Sequence, residues 1–128
     1  MRKLRRRTVG HITVPKKTLV QPHELRVATI LSWTGDDVEF IPVGRVQTPD
    51  IYYRGLKWEI KSPIGRSSRT IENNMRAAVR QSSNIIIDLG RIRLPEDKCL
   101  REIKRQGELM KGKHRILVIT KTDRIIEL

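Results

Sequence analysis

The alternation of apolar and polar positions is sharpest between Ile51 and Lys61. Ile51, Tyr53, Leu56, Trp58 and Ile60 fall on one face of an extended ribbon, and Asp50, Tyr52, Lys57, Glu59 and Lys61 on the other. Arg54-Gly55 separates the two runs and reads as a two-residue hairpin loop, with glycine available for the positive φ such loops need. That loop pairs Tyr53 with Leu56, Tyr52 with Lys57, Ile51 with Trp58 and Asp50 with Glu59. Elsewhere the period is helical. Gln21-Pro22 opens a helix carrying Val27, Ala28 and Leu31 that runs to about Trp33 and stops at Gly35. Ser67 and Ser68 offer caps for a second helix striped by Ile71, Met75, Ala78 and Val79. Pro95 starts a third helix reaching about Lys111, expected to break or fray near Gly107 and Gly112.

Residues 38–42 read as a strand, and the apolar run Ile85-Ile86-Ile87 within 84–89 suits a strand buried on both faces. A closing hairpin is expected from residues 116–120 and 125–128. The order is α-β-β-β-α-β with a helix and hairpin appended, an α/β (α+β) arrangement in which helices flank a mixed sheet. Residues 1–20 are basic, contain Pro15-Lys16-Lys17, and are expected to form an arm outside a single domain spanning 21–128.

Charge changes the picture next. Lys and Arg number 27 against 14 Asp and Glu, a formal net charge of +13, which points to a polyanionic partner. Nucleic acid leads. A membrane surface fits poorly, because no basic helix has a strongly apolar opposite face. The first seven residues resemble the basic start of a signal peptide, but no hydrophobic stretch follows, so no secretion address is expected. The single cysteine, Cys99, excludes an intramolecular disulfide and reads as a buried small hydrophobe.

The candidate chemistry lies on the polar face of the hairpin. Asp50 and Glu59 would stand roughly 5 Å apart at Cβ, a like-charge pair that opposes folding unless a cation joins it. Glu24 precedes Val27, Ala28 and Leu31 by three, four and seven residues and so continues the core-facing stripe. It would add a third carboxylate to an oxygen-lined site suited to Mg²⁺ or Mn²⁺, with Zn²⁺ less well served. Its plainer reading is a helix-start glutamate favoured by the macrodipole. Lys61 shares the face of Glu59, either to orient water and stabilise phosphate charge or simply to bridge Glu59. Arg66, Arg69, Arg76 and Arg80 are candidate phosphate contacts, or solvated surface charges, and Gln81 a candidate phosphate or water ligand, or a polar rim residue.

Pro49-Asp50, eight residues, then Glu59-Ile60-Lys61 resembles the PD-(D/E)xK signature of restriction-endonuclease-like nucleases, and the flanking elements fit that family's α-β-β-β-α-β core. The resemblance covers roughly residues 22–89. It implies metal binding at Asp50 and Glu59, with Glu24 as a further ligand, and a catalytic Lys61. A narrower likeness lies in Trp58-Glu59-Ile60-Lys61-Ser62-Pro63 with the stretch from Gln81 to Leu89. These pieces resemble the C-terminal nuclease domains of contact-dependent growth inhibition and related polymorphic toxins. What that implies is a bacterial toxin-type nuclease acting in the cytoplasm of a target cell, on tRNA by preference and DNA next, with a cognate immunity protein.

Two other readings stay open. A non-catalytic nucleic-acid-binding protein would use the same charge without the site. A metal-independent RNase would need histidines, yet His11, His23 and His114 lie on separate segments.

Overall fold

The computed structural model describes residues 8–44 and 46–128. Ten elements follow one another: β1 (Ile12–Thr13), α1 (Pro22–Ser32), β2 (Val38–Phe40), β3 (Ile51–Tyr53), β4 (Leu56–Lys61), α2 (Ser68–Val79), β5 (Asn84–Asp88), α3 (Glu96–Leu109), β6 (Arg115–Ile119) and β7 (Ile125–Glu127). The strands form one seven-stranded sheet in which spatial order repeats chain order, β1 to β7. Three neighbouring pairs, β1–β2, β4–β5 and β5–β6, are parallel and three are antiparallel. From α1 onward this is the mixed α+β sheet expected from the sequence.

The hairpin forms through its predicted loop. Arg54 and Gly55 both take positive φ, 52° and 72°, and β3 pairs with β4 as Ile51–Trp58, Tyr52–Lys57 and Tyr53–Leu56. Trp58 Nε1 donates to the Tyr53 carbonyl at 2.8 Å, and the two rings meet edge-on at 6.3 Å. Their apolar face packs on α1, where Val27, Ala28, Ile30 and Leu31 cover Val38, Phe40, Ile51, Ile60 and Ile86. The opposite face buries Ile85, Ile87, Ile116 and Val118 under Ile71, Met75 and Ala78 of α2 and Cys99 and Ile103 of α3. Strand β5 is thus apolar on both faces because both are covered, as its uninterrupted run of isoleucines requires.

Two expectations change. The basic N-terminal segment is not wholly an arm: β1 pairs in parallel with β2, and Val38 N donates to the His11 carbonyl at 2.8 Å. Gly10 makes this docking possible, since a Cβ there would stand 1.9 Å from the Asp36 carbonyl oxygen. Residues 1–7 of that expected arm lie outside the described residues. Helix α3 runs through Gly107 without a break and ends at Leu109; a Cβ at Gly107 would stand 3.1 Å from Ile116 Cδ1, so glycine fits the close packing on β6.

Candidate functional site

Strand β4 carries Glu59 and Lys61 to one face two residues apart. The parallel register with β5, Glu59 to Ile85 and Lys61 to Ile87, puts that face under α2 and α3. Asp50 enters from the chain just before β3, but not as a regular ladder partner of Glu59. The ladder ends at Ile51–Trp58, because Asp50 N donates to the Trp58 carbonyl at 2.9 Å and Asp50 Oδ2 accepts from Ile60 N at 2.7 Å. Pro49, lacking an N–H, cannot carry the pairing further. The Asp50 carboxylate therefore turns onto the backbone of β4 beside Glu59.

Glu59 is buried, its side chain only 4% exposed. Its Oε2 lies 3.2 Å from Lys61 Nζ, while Oε1 is enclosed with no hydrogen-bond partner among the described residues. Burial, then the negative charge of Asp50, push its carboxyl up to about 7 against the opposing pull of Lys61. An enclosed carboxylate beside another, with one oxygen unserved, suits a divalent cation, which would hold Glu59 ionised. Among the described residues no three His, Cys, Asp or Glu side chains gather into a metal cluster. Two carboxylates, with water and substrate oxygens completing the shell, are a donor set of the kind Mg²⁺ accepts. They do not make the four-ligand nitrogen and sulfur set of structural zinc.

Glu24 is not brought to this pair. Its Oε1 accepts from the Gln21 backbone N–H at 2.9 Å, so it caps its own helix on the sheet face opposite Glu59. That bond serves one of the otherwise unpaired amides at the start of α1. Glu24→Ala should cost about 0.5–1 kcal/mol of stability by thermal melting, with no change in any cleavage activity.

Helix α2 divides the other candidates. It returns the chain from the end of β4 to the start of β5, so Arg66 and Arg69 lie at its beginning, near Lys61 in sequence. Arg80 and Gln81 lie past its other end, about 18 Å along its axis. All four arginines are exposed, and Arg76 is paired with Glu72 at 2.9 Å. Gln81 is half-buried, and among the described residues its backbone N–H bonds to the Ala78 carbonyl while its side chain makes no hydrogen bond. His11, His23 and His114 lie just before β1, in α1 and just before β6, respectively.

Sequence reasoning missed the residues that brace the site. Asp88, fully buried at the end of β5, accepts from Arg26 Nη1 at 2.5 Å, Ser62 Oγ at 3.0 Å and Gly90 N at 2.9 Å. Arg26 continues to Asp123 at 2.6 Å, and Arg91 Nη2 donates to the Ser62 carbonyl at 2.9 Å. The residue after Lys61 is thereby fixed from two sides. The available signal was a carboxylate closing an otherwise apolar strand, which demands a partner.

Residues 47–125 match the family described as the contact-dependent growth inhibition CdiA C-terminal domain. Among solved structures, the chain is similar to one described as the CdiA-CT/CdiI toxin and immunity complex from Burkholderia pseudomallei, with a TM-score of 0.68 and 22% identity. The match covers 93% of this chain and 98% of that one, a likeness of fold. No relative is found among curated protein sequences.

Proposed function

The chain belongs to the contact-dependent growth inhibition CdiA C-terminal domain family, and from that premise we propose that it is a toxin domain acting as a metal-dependent nuclease of the PD-(D/E)xK type. The observation that carries this reading is Glu59: a buried carboxylate with an unserved oxygen, held between Asp50 and Lys61 on a strongly basic protein. Asp50 and Glu59 would hold Mg²⁺ or Mn²⁺, and the cation when bound would supply Lewis acidity toward the scissile phosphate. Lys61, tethered by Glu59, donates from its ammonium to the attacking water or to a non-bridging phosphate oxygen, stabilising charge as it develops. Asp50 keeps Glu59 in place indirectly, by fixing the Ile60 amide between Glu59 and Lys61. Arg66 and Arg69 extend positive charge from the same end of the sheet and receive flanking phosphates.

RNA, with tRNA foremost, is the proposed substrate, acted on in the cytoplasm of a bacterial target cell. An immunity protein is the proposed partner; the similar structure is of a toxin with its immunity protein. The test is a gel with total tRNA and plasmid DNA, with Mg²⁺ or Mn²⁺ and then with chelator. Cleavage of tRNA that vanishes on chelation is expected. Cleavage that persists in EDTA would remove the metal, and cleavage of plasmid alone would reassign the substrate.

A further inference from the structure

A second feature lies at the other end of the sheet from Lys61. A cavity of about 780 Å³ opens beneath the end of α3, at the starts of β5 and β6, within the size range of sites that enclose small ligands. Lys104, Lys113 and Arg115 line it against one acidic side chain, Glu108. None of these three cations makes an ion pair among the described residues. Ile116 supplies an apolar wall, and Gly107 keeps the helix close to it.

His114 is the second observation. Its Nε2 stands 2.7 Å from the Lys111 carbonyl, and a carbonyl only accepts, so Nε2 carries the proton. The other ring nitrogen, Nδ1, is enclosed without a hydrogen-bond partner among the described residues. A ring nitrogen enclosed without a partner is unfavourable, and a polar group on an entering ligand would relieve it once the ring shifts to meet it.

Unpaired cations, an apolar wall and an unserved ring nitrogen together match phosphate, a flat ring and an amine or hydroxyl. We infer that this cavity is a nucleotide subsite: Lys104, Lys113 and Arg115 hold the phosphate, and Ile116 and His114 take the base or sugar of one unpaired nucleotide. It opens on the sheet face that carries Glu59, since Ile116 pairs with Ile85 and Ile85 with Glu59. Asn84 at its rim precedes Ile87, the partner of Lys61, by three residues, about 10 Å along the strand. A short single strand spans that distance. The subsite deepens the nuclease reading and rests on it for the identity of the polymer, anchoring an unpaired nucleotide away from the cut.

The test uses the full chain carrying Glu59→Gln, so that binding is read without cleavage. Adenosine 5′-monophosphate, adenosine and inorganic phosphate are titrated separately and followed by NMR. Saturable shifts centred on the amides of Asn84, His114 and Arg115 are expected with the monophosphate, and weaker ones with either fragment. In the same background, Lys113→Ala with His114→Ala should weaken binding of labelled single-stranded RNA about tenfold, while the exposed Lys98→Ala leaves it within about twofold. Scattered or absent shifts, or equal weakening by Lys98→Ala, overturn the subsite. So does an acidic protein that binds the cavity while the double variant leaves RNA binding unchanged. Cleavage by the chain without Glu59→Gln is scored apart: its failure beside intact titrations sinks the nuclease and leaves the nucleotide site standing.

Discussion

Glu59→Gln is expected to lower cleavage roughly a thousandfold or more while making the cation-free protein more stable above pH 7. The two effects share one cause. The folded protein holds the Glu59 carboxyl near 7, against 4.5 for a free one, through burial and the charge of Asp50. Between those values the folded state binds more protons than the unfolded state, so stability falls as pH rises through the window. The stabilising contribution of the protonated group is fully present below about 4.5 and lost above about 7. Glutamine keeps the shape and removes the ionisation. Thermal melts in chelator should therefore show Glu59→Gln above the parent at pH 8 by on the order of 2 kcal/mol, with the gap narrowing toward pH 5. Added Mg²⁺ should restore the parent and leave the variant unmoved. A difference that ignores pH and cation would show that Glu59 is an ordinary buried residue.

Asp88→Ala should be the most destabilising single change outside the apolar core, costing about 3 kcal/mol. It strands the Arg26 guanidinium at a contact of 2.5 Å and frees both Ser62 Oγ and the Gly90 amide. Arg26 retains Asp123 and partial solvent access, which keeps the loss at the lower end for a buried pair. Urea unfolding of Asp88→Ala, Arg26→Ala and the double variant would measure this. The expected outcome is a double variant little worse than either single one; simple addition of the two losses would mean the pair is not a unit. Because Ser62 follows Lys61, Asp88→Ala should also slow cleavage at temperatures where the protein remains folded.

Much of this was legible in the sequence because local rules carried it. Arg54-Gly55 sets the hairpin register by turn chemistry alone, and three of its four expected pairs form as the loop dictates. Helical stripes at Val27–Leu31 and Ile71–Ala78 announce two opposite layers. What escaped depends on distance or on competition. Strand β1 has two residues and no alternation, so only backbone bonding to β2 reveals it. Asp50 leaves its ladder position because its carboxylate takes the Ile60 amide instead. Glu24 serves its own helix end, a local bond that the periodicity of the core-facing stripe does not reveal. Arg26 and Asp88 are 62 residues apart, beyond the reach of any local pattern.

The sheet that lists its strands in chain order has a consequence for how the molecule comes into being. Each strand finds its neighbour in the segment just before it, so no strand waits for a remote partner and loop-closure entropy is lost in small steps. A chain arriving progressively, whether from a ribosome or through a narrow passage, can add strands one at a time to a growing edge. The exception is Arg26, whose partners Asp88 and Asp123 arrive 62 and 97 residues later. Its Asp88 bond can form once β5 is in place, and its Asp123 bond only with the last hairpin, which then locks the first helix to the final turn.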